Sequence, residues 1–258
     1  MLIDSGTRSK GETVVNYLKQ LGIKKIDVLI GTHPHDDHMG GMAEVIRNFD
    51  IGVLYAPDTT KNNITTSWYL DFLNAVDEKK VNWIYPKVGD NFELGEAIIQ
   101  ILAPNSTKYD ELNNYSIVTK IVYGNVNIIS MGDAEKLSED EILKNGLDVK
   151  AQIIKAGHHG SNTSNSENFI NSVNPQYALI SVKKGNTYNH PTKSVMEMFE
   201  KKQIQVYRTD QSGTIIMTTN GTTIKFDKEP GNYLAGDEMW DSAWKKTWYI
   251  VKYKCIKT

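Results

Sequence analysis

Apolar positions recur along this chain with two periods, and the changes between them mark its elements. Leu2-Ile3 ends a strand at Asp4-Ser5-Gly6, and residues 9–21 carry Val14, Val15, Leu18 and Leu21 at helical spacing, with Gly22 as terminator. The run Ile26-Asp27-Val28-Leu29-Ile30 follows, completing a strand–helix–strand unit. A helix is expected to begin directly after His38, with Met42, Val45 and Ile46 inward, and then a strand over 51–56. Residues 67–80 predict a helix buried along Leu70, Phe72, Leu73 and Val76, followed by a strand over 81–85.

Strand patterns dominate the middle of the chain. Phe92 and Leu94 precede the apolar run 97–102, and 117–123 with 126–131 predict a hairpin about Gly124-Asn125. Strands at 151–156 and 177–182 then alternate with helices at 167–173 and 194–202. An extended segment at 205–207 and a hairpin at 213–226 about Asn220-Gly221 close the series. Such alternation predicts an α/β (α+β) chain.

Composition narrows the class. A chain of 258 residues, 40 % apolar and 23 % charged, can bury a proper core. A net charge of -2 provides no global basic field for nucleic acid, although a local groove could still bind it. Cys255 is the single cysteine, so no internal disulfide forms. No apolar run reaches membrane-spanning length. Because residues 1–6 read as the end of a strand, the natural polypeptide is expected to start earlier. Residues 229–258 differ in character: Trp240, Trp244 and Trp248 stand four apart, followed by Tyr249-Ile250-Val251-Lys252-Tyr253. The reading is a main domain over 1–228 and an aromatic-rich extension over 229–258. Helical spacing favours packing of that extension against the domain over an aromatic surface for glycan or wall polymer, or the start of a further domain.

The chemistry concentrates at Ile30-Gly-Thr-His-Pro-His-Asp-Asp-His-Met-Gly-Gly41. His33 and His35, two apart after a strand, point the same way and can grip one metal ion. A turn at Asp37 and His38 can aim both at a second ion, and a water shared by two metals loses a proton near neutral pH. A lone histidine is ordinarily a satisfied core or surface residue; four candidate ligands in six positions are not so explained. Asp133, just after the apolar stretch 127–131, reads either as a helix cap or as the anionic bridge that two close cations need. His158 and His159 are adjacent, so in extended chain only one faces a metal. Lys155, Lys183, Lys184 and Lys193 lie in strand-end segments and would draw phosphate, or are simply solvated loop charges.

H-x-H-x-D-H after a strand resembles the signature of the metallo-β-lactamase superfamily, whose αββα sandwich holds one or two divalent metals at the edge between its sheets. The resemblance implies this sandwich, lacking its first strands at the N-terminus. It also implies that Asp4 leaves an inner strand and orients the metal loop, and that Asp133 is the bridge. Gly157-His158-His159-Gly160-Ser161 resembles most specifically the branch that contains the C-terminal domain of ComEC-type DNA-uptake proteins, short secreted hydrolases and the phosphorylcholine esterase acting on teichoic acid. There the paired histidines stand at the cleft mouth as a ligand or a transition-state contact. Tyr188-Asn189-His190-Pro191 matches the same branch and implies His190 as the last imidazole, on the ion held by Asp37, His38 and Asp133. Asn113-Asn114-Tyr115-Ser116 and the segment 207–213 resemble further parts of it, which places Asn114 and Ser116 behind the ligands. Ser161, Asn186, Tyr188 and Lys155 would then contact substrate, and Asp37, His158 and His159 would serve catalysis. One departure stands out: many members carry a histidine where this chain has Ala103, leaving the ion at His33 and His35 short of an imidazole.

These features imply a hydrolase with two divalent ions, zinc or manganese, attacking a phosphodiester. Single-stranded DNA is the preferred substrate. A phosphorylcholine-bearing polymer is the alternative, β-lactams rank third, and a non-catalytic binding module with a degenerate metal site is the reading of another class. The branch implies an extracellular or cell-surface setting, while the residues themselves do not exclude the cytoplasm.

Overall fold

A computed structural model describes residues 1–59 and 62–239. Strands β1 (Leu2–Ile3), β2 (Lys25–Ile30), β3 (Asp50–Tyr55) and β4 (Trp83–Ile84) form one parallel sheet in sequence order. A second, seven-stranded sheet contains β5 (Asn91–Leu94), β6 (Ala97–Ala103), β7 (Val118–Tyr123), β8 (Val126–Ser130), β9 (Ile153–Lys155), β10 (Tyr177–Ile180) and β11 (Gln205–Arg208). Its β5 to β8 pair antiparallel and its β8 to β11 parallel. The parallel half is the part whose strands are joined through helices α5 (Lys136–Lys144), α6 (Glu167–Val173) and α7 (Lys193–Lys201). That is the connection parallel pairing requires.

Strand alternation sorts the apolar side chains into layers. Leu29 and Leu54 face helices α1 (Gly11–Gln20), α3 (Met42–Asn48) and α4 (Ser67–Glu78), where Val15, Ile46 and Phe72 bury. On the far side, Ile129, Ile154, Ala178 and Val206 pack against Ile142, Phe169 and Phe199 of α5, α6 and α7. Val28 and Ile30 meet Ile101 and Ile117 between the sheets. The result is the expected αββα sandwich. Among the described residues β1 pairs with β2, and Asp4 follows directly after β1.

Two local expectations are corrected. The chain after His38 does not start the helix: a single helical turn, α2 (Asp36–Met39), carries Asp37 and His38, and α3 begins beyond Gly40-Gly41. Two glycines are needed at that junction because the chain crosses the first loop, where a Cβ on Gly41 would come within 2.7 Å of the Ser5 carbonyl oxygen. In α4 the buried side runs through Tyr69, Phe72 and Ala75, and Leu70 is 46 % exposed. Tyr69 can turn inward because its hydroxyl meets Thr59 Oγ1 at 2.9 Å.

Residues 229–239 lie along the free edge of the larger sheet. Gly231 N donates to Val206 O, Tyr233 Oη to Ile204 O and Gly236 N to Pro191 O, and Ala235 is buried. Trp240, Trp244, Trp248 and residues 249–253 fall outside the described residues. No described helix is long and apolar enough to cross a membrane.

Candidate metal centre

His33, His35 and Asp133 follow the carboxyl ends of strands, where the backbone leaves its ladder and can turn side chains into the gap between the sheets. His33 and His35 follow β2, with His33 Nε2 and His35 Nδ1 3.0 Å apart. Asp4 follows β1 with a positive φ of 60°. Its carboxylate accepts from Thr32 N at 2.9 Å and Thr32 Oγ1 at 3.0 Å, and it takes His38 Nδ1–H at 2.7 Å. Asp133 follows β8, and its backbone N–H donates to Ser116 Oγ at 3.0 Å. The helix-cap alternative for Asp133 does not hold, since α5 starts later and Glu135 occupies its N-cap position.

His158 and His159 depart most from the pattern expected of extended chain. Both adopt left-handed backbone, with φ of 48° and 55°, so neither follows strand alternation and both reach toward Asp133. Two consecutive non-glycine residues in that region are strained, which calls for an external clamp. Buried Asn165 provides it: Oδ1 accepts from Gly157 N, and Nδ2 donates to Gly157 O and Ser161 O. Nothing in the pattern around Asn165 announces this role. Glu135 and Thr163 were likewise unforeseen. Thr163 Oγ1 lies 3.1 Å from His158 Nδ1, and Glu135 Oε1 lies 3.6 Å from it, itself held by Asn113 Nδ2.

Asp133 is the hub of the assembled cluster. Its Oδ1 lies 3.2 Å from His38 Nε2, while its Oδ2 is 3.4 Å from His159 Nε2 and 3.9 Å from both His33 Nε2 and His158 Nε2. Among the described residues two groups converge tightly enough to hold a cation, His33 with His38 and Asp133, and Asp37 with His38 and His159. His38 belongs to both. The imidazole within hydrogen-bond range of Asp37, at 3.2 Å, is His159, and His190 is in neither group. His190 is buried with its ring centroid 5.4 Å from that of His158.

The donor chemistry fits a divalent cation. His159 Nδ1–H donates to Ser181 O at 2.6 Å and His38 Nδ1–H to Asp4, so in each neutral ring the Nε2 lone pair faces a carboxylate oxygen. His38 Nε2 and Asp133 Oδ1 are buried with no hydrogen-bond partner despite their proximity. Electrostatics report the same need for positive charge. Burial works against a charged His38, yet Asp4 and Asp133 outweigh it and push its pKa up to about 10. Burial, reinforced by charged His38, drives His33 down to about 3. Burial also lowers His35, and with His158 and His159 nearby it takes His190 to about 4. Burial opposes charge on Asp37 and Asp133, but the hydrogen bond from His159 holds the first carboxyl low, and the His38 imidazole 3.2 Å away holds the second low.

The remaining candidates divide. Asn114 Oδ1 accepts from Glu135 N, and with Ser116 it supports the Asp133 loop as expected. Ser161 is buried with Oγ accepting from Thr163 N, and Asn186 bonds within its own loop to Lys183 O, His190 O, Tyr188 N and His190 N. Both side chains are engaged within their own loops. The Lys155 amine is buried without a hydrogen-bond partner, and Lys193 is paired with Glu238 and Glu197. Lys183, Lys184 and Tyr188 remain exposed. Ala103 lies in the apolar layer beside Leu102, Val118 and Ile129.

Comparison with known proteins is consistent with this geometry. The family model of the Metallo-beta-lactamase superfamily matches residues 1–182. The chain is 34 % identical over 208 residues to ComE operon protein 3 of Bacillus subtilis (strain 168), covering 80 % of this chain and 26 % of that protein. It is 30 % identical over 217 residues to Competence protein ComA of Neisseria gonorrhoeae, covering 83 % and 28 %. It thus spans about a quarter of the length of these curated relatives. Among solved structures, Tm1679, a metal-dependent hydrolase of the beta-lactamase superfamily, superposes with a TM-score of 0.52 at 11 % identity, over 80 % of this chain and 84 % of that one.

Proposed function

Because the chain belongs to the metallo-β-lactamase superfamily, we propose that it is a divalent-metal-dependent phosphodiester hydrolase of the nuclease type, with single-stranded DNA as substrate. One observation carries the reading: His38 and His159 have Nδ1 tied back to oxygen acceptors, which turns both Nε2 atoms onto the two oxygens of Asp133. A carboxylate whose oxygens address different imidazoles suits a bridge between two ions. His33 and His35 would hold one, and Asp37, His38 and His159 the other, although His38 Nε2 can serve only one at a time. A mixed imidazole and carboxylate set accepts zinc or manganese. Divalent ions held there would acidify water and offset charge on a phosphoryl group.

The chain's own groups provide the rest. His158, held at Nδ1 by Thr163, presents Nε2 beside Asp133, placed to hydrogen-bond a phosphoryl or leaving oxygen. Asp4 and Ser116 fix the ligand-bearing loops so that little reorganisation accompanies reaction. Lys183 and Lys184 offer exposed positive charge to a polyanion. The likeness of Gly157-His158-His159-Gly160-Ser161 to DNA-uptake proteins, and relatives bearing competence names, supports DNA over a phosphorylcholine polymer.

The test measures bound metal, hydrolysis of bis(p-nitrophenyl) phosphate and cleavage of labelled single-stranded DNA, with a phosphorylcholine ester alongside. Wild type is compared with His35→Ala, with and without chelator. Metal-dependent, mutation-sensitive cleavage of DNA is expected. Preference for the phosphorylcholine ester would transfer the assignment to an esterase. Metal without mutation-sensitive turnover, or no metal, would indicate a binding module.

A further inference from the structure

Beside the metal centre, residues 183–190 form a loop whose shape is held from within. Asn186 Nδ2 donates to the carbonyls of Lys183 and His190, and its Oδ1 accepts from the backbone of Tyr188 and His190. Behind this loop is a cavity of about 210 Å³, bounded by Lys184, Gly185, His190, Asp210, Gly236 and Met239. His190 is the shared wall, since its other neighbour is His158 at 5.4 Å between ring centroids. At the loop tip Tyr188 lies against His190, the rings 5.7 Å apart and inclined by 27°. Its other side faces solvent, and the residue is 77 % exposed. An aromatic ring backed by a second ring and bare on its far face is a stacking platform.

Resting on the nuclease reading above, we propose that this loop forms a nucleobase subsite next to the scissile phosphate, with the solvent-exposed side of Tyr188 as its stacking face. Its chemistry argues against a quaternary ammonium, which calls for several aromatic faces and no competing cation. Lys184 is on the same loop, and the nearby Asp210 carboxylate, which would otherwise attract a cation, is already bound to Arg208 at 3.0 and 2.7 Å. Lys183 and Lys184, both exposed, stand where the phosphates flanking a seated base would run. Asn186 thus acts as a positioning residue for the subsite.

The test measures anisotropy of labelled oligothymidylate binding to wild type, Tyr188→Ala and Tyr188→Phe, with a matched series in which one abasic residue is moved along the strand. Loss of one stacked base costs about 1–3 kcal/mol, so Tyr188→Ala should bind about tenfold more weakly and Tyr188→Phe like wild type. At one register the abasic strand should lose the same factor on wild type and nothing further on Tyr188→Ala. A structural role for Tyr188 would weaken intact and abasic strands alike at every register. That result overturns the subsite, as do a flat abasic scan, an unaffected Tyr188→Ala, or wild type that does not bind the strand. Binding with the expected signature but no metal-dependent cleavage would instead sink the nuclease reading and leave the subsite standing.

Discussion

Asp4 Oδ2 accepts a 2.7 Å hydrogen bond from His38 Nδ1 across 34 positions of sequence. That bond selects the His38 tautomer with its Nε2 lone pair toward Asp133, and the same carboxylate anchors Thr32 directly before His33. One side chain therefore sets the angle of the whole ligand loop. Asp4→Asn keeps the size but loses the anionic acceptor, and supporting partners of this kind are worth about 10–100-fold in metal affinity or activity. Competition against a chelator should show a loss in that range with the fold retained. An affinity equal to wild type would mean that Asp4 serves only the backbone.

Asp133 is more central, because four imidazoles address its two oxygens. Asp133→Ala is expected to abolish metal-dependent turnover. Metal added to wild type should raise its thermal midpoint progressively with concentration, because a ligand of the native state adds RT ln(1 + [L]/Kd) to stability. The same titration of Asp133→Ala should leave the midpoint flat. A midpoint that still climbs in the variant would show that the carboxylate is not required to hold the cation.

The convergence of the candidate ligands from β2 to α2 was readable from sequence because they are contiguous, and a short loop after an apolar strand has few ways to aim them. Asp133 was readable for the same reason, at the end of a hairpin strand. The approach of His159 to Asp37 was not. It depends on two histidines in left-handed backbone and on Asn165, whose clamp on Gly157 is a tertiary contact with no periodicity. The lysines divided: Lys183 and Lys184 stay exposed, whereas Lys193 is drawn to Glu238 in the segment beyond the last hairpin and the Lys155 amine is buried. Leu70 misled because any apolar residue near the stripe fits a helical period, whereas the burial of Tyr69 needed a partner for its hydroxyl.

Glu139 connects the helix layer to the paired histidines. It is 1 % exposed and accepts from Asn165 N at 2.6 Å and Ser166 N at 2.9 Å, holding the residue that clamps Gly157. Burial raises its pKa above the ordinary 4.5, against those hydrogen bonds. The folded state then binds this proton more tightly than the unfolded chain. The associated stability is present below pH 4.5 and is lost as pH rises through the folded-state value. Urea denaturation of wild type and Glu139→Gln across the acid range should show the difference in stability changing in that direction and levelling off above the window. A difference that moves oppositely would mean that the hydrogen bonds outweigh burial.

Arg208 is fully buried at the end of β11, and its guanidinium joins three segments. Nε and Nη2 bind Asp210 at 3.0 and 2.7 Å, while Nη1 donates to the carbonyls of Asn232 and Leu234. Through Gly236 N, which donates to Pro191 O, the segment it secures adjoins the His190 loop. Arg208→Met leaves Asp210 a buried carboxylate without its partner, and breaking such a pair costs about 3–5 kcal/mol. Arg208→Lys should recover little, since one ammonium cannot form the planar fork or reach both carbonyls. Hydrogen exchange in Arg208→Met should be accelerated at the amides of Gly231 and Gly236 while the β2 and β3 amides keep their protection. Uniform acceleration throughout the chain would show that Arg208 stabilises the fold globally and does not specifically secure this segment.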